Sequence, residues 1–322
     1  MNKKEILERL RQGTPVSGEE LGRAIGISRT AVWKHINELK RQGYVIDSVP
    51  GRGYHFIGAP DDLLPEEIAY GLKTQIMGQR IVYEGEAPST QAIAKALASQ
   101  GAAEGTIVVA ETQSGGRGRV GRPWSSPRGG IYFSIILRPD INPGEALRLP
   151  LVAGVAVAQA IKREINLEPR LKWPNDIMIE TKKVGGILTE MSAEPDRLDW
   201  VIIGIGLNVN TPHDSFSQEV EESAISLMEA AGREIPRVKL LQAILVEFES
   251  LYGSLAGRGF EPIRAVWKAL SNTIGAHVVV TLPSGQIKGL AEDIDSDGAL
   301  ILKKADGAVE RIVAGVIKLR KL

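Results

Sequence analysis

Gln113-Ser-Gly-Gly-Arg-Gly-Arg-Val-Gly-Arg-Pro-Trp124 packs four glycines and three arginines, Arg117, Arg119 and Arg122, into twelve residues. Apolar runs bracket it: Thr106-Ile-Val-Val-Ala110 before, Ile131-Tyr-Phe-Ser-Ile-Ile-Leu137 after. Each reads as a buried strand. Glycine lets a backbone approach a ligand closely and take φ > 0. Arginine brings a rigid fork of donors that matches phosphate and carboxylate. A loop with both, slung between two strands, is built to close over an anion. Ordering it costs entropy, so the spacing predicts a loop that is mobile when empty.

Other readings of the stretch fit less well. Gly116-x-Gly118-x-x-Gly121 matches the dinucleotide-binding pattern, with Asp140 about 20 residues further on. That pattern needs a helix opening at its last glycine. Pro123, Pro127 and Gly129-Gly130 follow instead, and then a strand. A P-loop would end in Gly-Lys-Ser/Thr, which is absent. Trp124 and the tight flanking strands disfavour a solvated loop without a ligand.

Before the loop, Pro88-Ser-Thr90 leads into a helix over Gln91 to Ser99. Its free N–H groups and two hydroxyls can hold a polar ligand head, although an ordinary N-cap reads equally well locally. Nearer the start, Leu64 to Gly71 predicts a helix and Arg80 to Tyr83 a strand. Residues 58–66 read as a linker.

The first 60 residues have a different character. Ile6, Leu7 and Leu10 share one helical face. Ser17-Gly-Glu-Glu20 is a capping box opening a short helix that Gly26 ends. Ser28 caps the next helix, Arg29 to Arg41, which buries Val32, Ile36 and Leu39. Tyr44-Val-Ile46 and Tyr54-His-Phe-Ile57 flank the basic tip Pro50-Gly-Arg-Gly53. Three helices and a hairpin make a winged helix-turn-helix. Arg29 and Thr30 are then candidates for base edges, and Lys34, Lys40 and Arg52 for phosphates. A winged helix used for protein contacts is the alternative. Charge favours nucleic acid: residues 1–60 carry ten basic against six acidic side chains, residues 61–270 carry 22 against 27.

Beyond the loop, Leu149 to Glu164 reads as a buried central helix. In Arg170-Leu-Lys-Trp-Pro-Asn-Asp176 the proline forces Trp173 to be extended. Lys172 and Trp173 should finish a strand and Asn175-Asp176 turn, a plausible phosphate and metal station with Trp173 packing in the core. Ile177 to Ile179 and Val184 to Met191 read as a hairpin. Trp200 to Gly204 reads as a strand running into Gly204-Ile-Gly206-Leu-Asn208. Small residues at alternating positions on adjoining strands should leave space for a ligand, towards which Lys183 points; a solvated turn lysine remains open. Residues 211–235 are polar and loop-rich, and two amphipathic helices follow, over Val238 to Leu255 and Phe260 to Leu270. From Gly275 the pattern becomes short strands at His277–Thr281, Gln286–Asp293, Ala299–Leu302 and Val309–Val313, an SH3-like β-barrel.

The chain has 322 residues, zero net charge and no cysteine, which excludes disulfides, thiolate metal sites and a cysteine nucleophile. The N-terminus lacks a signal-peptide core, and apolar runs break before membrane-spanning length, so a cytoplasmic protein with no membrane partner is expected. The expected domains are residues 1–60, 65–271 and 273–322.

Four segments together resemble the bifunctional biotin protein ligase and biotin-operon repressor family. They are Gly116-Arg-Gly-Arg-Val-Gly-Arg-Pro-Trp124, Lys172-Trp-Pro-Asn-Asp176, Lys183-Val-Gly-Gly-Ile-Leu188 and Gly204-Ile-Gly-Leu-Asn-Val-Asn210. The resemblance spans the whole chain. It implies a multidomain α+β protein whose central mixed α/β domain is of the biotin/lipoate ligase, class II synthetase-like type. It implies biotin, ATP and Mg²⁺ as ligands, with biotinyl-5′-AMP as intermediate and a lysine of a biotin carboxyl carrier protein as acceptor. It further implies operator DNA and a ligand-promoted homodimer. By matching positions, Ser89, Thr90, Gln91, Gln113, Arg117, Gly118 and Arg119 should meet biotin or its adenylate. Lys183 should meet the carboxylate and phosphate, so that Arg117, Arg119 and Lys183 are the catalytic candidates. Arg122 and Lys172 should lie by phosphates and Asp176 by Mg²⁺. Tyr132, Ser134, Gly186, Gly204 and Gly206 should line the biotin bed. Gln91 departs from the family's asparagine there. The adenine loop is expected within residues 211–227. The alternatives are a ligand-sensing transcription factor without ligase activity and a lipoate ligase.

Overall fold

The computed structural model describes residues 2–194, 197–216, 220–283 and 285–319. They form two compact units, Met1–Asp62 and Leu63–Leu322.

The first unit holds α1 (Asn2–Leu10), α2 (Gly18–Ile25), α3 (Arg29–Arg41), β1 (Val45–Val49) and β2 (Gly53–Gly58). The capping box forms as the sequence requires: Glu20 N donates to Ser17 Oγ, and Ser17 N to Glu20 Oε2. Ile6, Leu7, Leu10, Leu21, Val32, Ile36 and Leu39 are all buried, so the apolar stripes of three helices meet in one core. β1 and β2 pair antiparallel into the wing, and Val16 adds a bridge to Tyr54.

The second unit begins with α4 (Pro65–Ala69), shorter than the helix expected over Leu64–Gly71. There follow β3 (Ile81–Ala87), α5 (Thr90–Ser99), β4 (Ile107–Gln113), β5 (Ile131–Leu137), α6 (Leu149–Ile165), β6 (Pro169–Lys172), β7 (Asp176–Ile179), β8 (Lys182–Glu194) and β9 (Arg197–Leu207). Their seven strands make one mixed sheet, ordered β3-β4-β5-β9-β8-β7-β6, parallel at β3–β4 and antiparallel elsewhere. No helix opens at Gly121; the chain goes on to β5, which removes the dinucleotide-binding reading. α7 (Leu227–Ala231), α8 (Arg237–Arg258) and α9 (Glu261–Leu270) follow.

The sheet's two faces differ because side chains alternate along each strand. Ile107, Val109, Ile131, Phe133 and Ile135 face a large core with α6 and α8. Val108, Ile136 and Ile202 face a smaller cluster with Ala94 and Ala98 of α5. α6, with the turn before it, is apolar and long enough to cross a membrane by composition, but most of it is buried in this core.

β10 (His277–Leu282), β11 (Gly285–Ile294), β12 (Leu300–Lys303), β13 (Val309–Ile312) and β14 (Val316–Leu319) complete the chain as the SH3-like domain. Their order is β13-β12-β11-β10-β14. The strand β14 is additional to the expected ones; it starts right after Gly315 and is only four residues long, and its strand geometry comes from pairing with β10. Ser284 of the expected Pro283–Gly285 turn lies outside the described residues, as do 217–219 and 320–322.

This β domain is joined to the sheet through the Trp-Pro-Asn-Asp turn. The strand ends at Lys172, so Trp173 belongs to the turn rather than to the strand, and its bond to Pro174 is cis. The indole is 2% exposed and donates to the Gly298 carbonyl at 3.0 Å, while Trp173 N donates to Thr273 Oγ1. Arg148 and Arg264 add ion pairs to Asp297 and Asp293.

Candidate active site

Strand register lines up the site. Residues directly opposed across paired strands point to the same face. One row runs Ala110, Tyr132, Gly206, Gly186, Asp176, Lys172 across five pairings. The next row runs Val108, Ser134, Gly204, Leu188. Three of the sequence's candidate glycines, two lysine/carboxylate candidates and two hydroxyls therefore share one face, the one that α5 covers in part.

The N-terminus of α5 reaches the second row. Ser89 occupies the N-cap position but makes no side-chain cap bond. Gln113 takes that role: its Oε1 accepts from Thr90 N at 2.8 Å and Thr90 Oγ1 at 3.2 Å, and its Nε2 donates to Ser126 Oγ. Thr90 Oγ1 lies 3.0 Å from Ser134 Oγ, which donates to Gln91 Oε1 at 3.1 Å. Gln91 lies over Gly204, where an added Cβ would stand 2.3 Å from Oε1. The longer amide at this position thus lies in the space that Gly204 leaves open.

The arginine loop is a narrow hairpin. Gln113 bridges Ser126 and Arg117 bridges Pro123, with Trp124 N donating to Gly116 O and Gly118 N to Arg122 O. At its tip Val120 has φ 56 and is 81% exposed, a strained place for a β-branched residue. Arg117 and Arg122 are exposed, with Gly118 half-buried between them. Arg119 turns inward: its Nη1 donates to Asn175 Oδ1 at 3.4 Å and to Gly315 O at 3.3 Å. Burial draws its pKa below the usual guanidinium value, and Asp176 opposes that shift.

Trp124 closes the hairpin over the first row. A Cβ on Gly206 would lie 2.5 Å from its indole nitrogen, and one on Gly186 would lie 3.4 Å from the ring. The Lys183 ammonium stands 5.3 Å from the ring centroid, a cation–π contact. The same ammonium pairs with Asp176 Oδ1, and Lys172 pairs with Asp176 Oδ2 at 3.3 Å. Two lysines thus converge on one carboxylate beside Arg119. Asp176 thereby holds both ammonium groups in place on this side of the site.

Both Asp176 oxygens are committed to lysines, and the described residues contain no group of three His, Cys, Asp or Glu side chains able to hold a metal. The donor set does not form a resident metal cage. It suits a cation that enters with phosphates, which needs one or two carboxylates from the protein.

Tyr132 stands opposite Gly206 in the first row. Its ring is 1% exposed and its hydroxyl donates to Pro127 O at 2.8 Å, which ties down the root of the loop. Burial pushes the phenol well above its ordinary pKa, with Thr211 and Arg237 opposing. Ser223 and Ile225 are fastened to the site by backbone: Lys183 N donates to Ser223 O, and Ile225 N to Lys183 O. Asn208 Nδ2 donates to Ile225 O, and Asn210 bonds to Ile235 further along the chain.

In the head, Arg29, Thr30, Lys34, Lys40 and the wing-tip Arg52 are all exposed. His35 is half-buried, 3.9 Å from Glu38.

Three family models match the chain: an HTH domain over residues 2–55, the biotin/lipoate A/B protein ligase family over 86–208, and the biotin protein ligase C-terminal domain over 273–320. The bifunctional ligase/repressor BirA of Bacillus spizizenii is 43% identical over 320 residues, covering 98% of both chains. That of Escherichia coli is 31% identical and covers 98% of this chain and 96% of its own. This chain belongs to the bifunctional biotin ligase/repressor family. The Aquifex aeolicus biotin protein ligase in complex with biotin and ATP superposes with a TM-score of 0.65. It is 31% identical and covers 76% of this chain and 100% of its own.

Within this biotin ligase/repressor the structure adds contacts that the sequence did not single out. Asn175, expected in a turn that serves as a phosphate and metal station, receives Arg119, and its Nδ2 donates to Ile187 O at 2.7 Å. Ser126 carries no motif, and its role follows from the hairpin that sets it against Gln113. The Glu111–Arg237 pair, 0% and 2% exposed at 2.9 Å, lies under the loop root; a helix-start arginine looks like a surface residue in sequence.

Gly206→Ala tests the bed. The new methyl must displace the Trp124 indole, which is wedged between Gly206, Gly186 and Lys183. The expected result is a rise in the biotin KM of about tenfold or more, with the fold retained. Isothermal titration with biotin checks it, and unchanged affinity would remove the indole from the binding surface.

Proposed function

We propose that the second unit condenses biotin with ATP to biotinyl-5′-AMP and pyrophosphate, then hands the biotin to a lysine of a biotin carboxyl carrier protein. In the first step a biotin carboxylate oxygen attacks the α-phosphorus, and the bond to pyrophosphate breaks with its electrons leaving on pyrophosphate. In the second, the neutral carrier amine attacks the biotinyl carbonyl; the bond to AMP breaks, an amide forms, AMP leaves with the electron pair, and the proton lost by the amine passes to solvent. The first step brings two anions together. The convergence of Lys183, Lys172 and Arg119 on one face of the sheet is the observation that carries this reading.

Lys183 is the side chain best placed to offset charge on the carboxylate and α-phosphate together. Arg119, half-buried and held by Asn175, orients phosphate oxygens. The exposed Arg117 and Arg122 close from the hairpin, and Gly118 lets its backbone come near. Ser89, Thr90, Gln91 and Gln113 hold the polar head of biotin at the start of α5, with Ser134 behind them. Gly186, Gly204 and Gly206 admit the ligand against the sheet. Trp124 and the closed hairpin keep water from the mixed anhydride. Mg²⁺ supplies charge neutralisation on the phosphates, and Asp176 is the carboxylate it would meet. The adenine lies against residues 211–227.

The head binds operator DNA through α3 and the wing, with Arg29 and Thr30 at base edges and Lys34 and Arg52 at phosphates. The adenylate promotes a homodimer that doubles these contacts, and occupancy of the site thereby represses transcription. Residues 1–60, 65–271 and 273–322 serve as reader, catalytic body and phosphate-side support. The protein acts in the cytoplasm.

Pyrophosphate–ATP exchange with biotin or lipoate under identical conditions tests the reaction. Exchange that requires biotin and Mg²⁺ is the expected result; exchange with lipoate alone would assign a lipoate ligase, and none with either would leave a ligand-sensing repressor. Removing residues 1–62 is expected to preserve this exchange and abolish protection of operator DNA in footprinting. Protection by the truncated chain would overturn the assignment of DNA binding to the head.

A further inference from the structure

Trp33 lies on the exposed face of α3 and is 55% exposed, whereas Trp173 and Trp267 are 2% exposed and Trp200 is 7%. The helix buries Val32, Ile36 and Leu39. Trp33 points away from that stripe, one turn after Arg29 and Thr30 and one turn before Asn37. An exposed indole in mid-helix adds nothing to the core, and tryptophan is an indifferent helix former. Its surroundings are cationic: Arg29, Lys34 and Lys40 are exposed on the same helix.

An apolar plate within a basic rim matches a polyanion that offers an apolar group between its charges. Duplex DNA offers one such group in the major groove, the C5-methyl of thymine. The position agrees with it, because the early and middle turns of the second helix in a helix-turn-helix face base edges. Resting on the DNA-binding reading above, we infer that Trp33 is a base-reading residue that packs its indole on a thymine methyl and sets sequence preference at that position. Arg29 and Thr30 then read hydrogen-bonding edges on one side of it, while Lys34 and Lys40 fix register on phosphates. The inference gives the head an apolar specificity element alongside its polar ones.

The test uses the full chain with biotin, ATP and Mg²⁺. A random duplex library is enriched separately by the wild type, Trp33→Ala and Trp33→Phe. Thermal unfolding checks that the exposed substitutions leave the head folded. The expected result is a thymine enriched by the wild type and by Trp33→Phe but lost with Trp33→Ala. In the best duplex, replacing that thymine by deoxyuridine removes one methyl group. It should weaken wild-type binding about fourfold, the worth of one buried methyl, and leave Trp33→Ala binding unchanged. Enrichment of the same thymines by Trp33→Ala would overturn the inference while leaving DNA binding intact. So would a loss of affinity that is uniform across sequences, which marks a phosphate contact or a protein-facing role. Failure of the wild type to enrich any sequence would overturn the DNA-binding reading and this inference with it.

Discussion

Lys183→Met is expected to lower the rate of biotin-dependent pyrophosphate exchange by about 10²–10³-fold, the usual size of losing one charged stabiliser of a transition state. Lys183 is the lysine that touches both the indole lid and Asp176. Its ammonium lies 3.3 Å from the place where a Gly186 Cβ would be, on the floor of the bed. It reaches the first row from Lys183's own position opposite Met178. Folding should survive, since Lys183 is one-third exposed and Asp176 keeps Lys172 at 3.3 Å. Because the charge it offsets grows as the carboxylate approaches phosphorus, the loss belongs mainly in kcat, with a smaller change in the biotin KM. Lys183→Arg should recover little, because a planar fork does not fit a slot shaped by Gly186 and the Trp124 ring. Exchange within threefold of wild type in Lys183→Met would take this residue out of the chemistry.

Arg237→Met should cost about 3–5 kcal/mol of stability, for a buried carboxylate left without its cation is strongly unfavourable. Glu111 is fully buried. Its Oε2 is 2.9 Å from Arg237, and its Oε1 accepts from Leu63 N at 2.6 Å. Arg237 also donates to Gly130 O at 2.9 Å. For a unit of this size the loss corresponds to a Tm lower by roughly 6–20 °C, readable by calorimetry. Adding Glu111→Gln removes the orphaned charge while keeping an acceptor for Leu63, so the double variant should recover at least half of the loss. A double variant as unstable as Arg237→Met would place the cost in packing instead. Arg237 holds Gly130 just where the loop returns to β5, so exchange activity at low temperature should fall as well, though far less than in Lys183→Met.

These two variants also divide what was legible in the chain from what was not. Lys183 stands in a motif, and its chemistry could be argued from residue type and neighbours. Arg237 gave no such signal, since its partner is 126 residues away. The same division runs through the rest of the molecule. Local chemistry announced the capping box at Ser17, the helix capped by Ser28, the wing, the buried strands around the arginine loop and the cationic character of the site. It could not show that Gln113 caps α5 from another strand in place of Ser89, and it misjudged Trp173, which leaves the strand to anchor the β domain. It showed the glycines of β8 and β9 but not the side chains, Gln91 and Trp124, that lie over them.

Periodicity, caps and turn residues act within a few positions, so the sequence by itself determined the kinds of elements, their order and the residue types that meet an anion. The tertiary structure alone decided which of those residues share a face. Register across β4, β5, β9, β8, β7 and β6 aligns Tyr132, Gly206, Gly186, Asp176 and Lys172. A shift of one residue in any pairing would send its partners to the opposite side of the sheet. That alignment is set by packing of the whole core against α6 and α8, a long-range sum that no short stretch of chain contains.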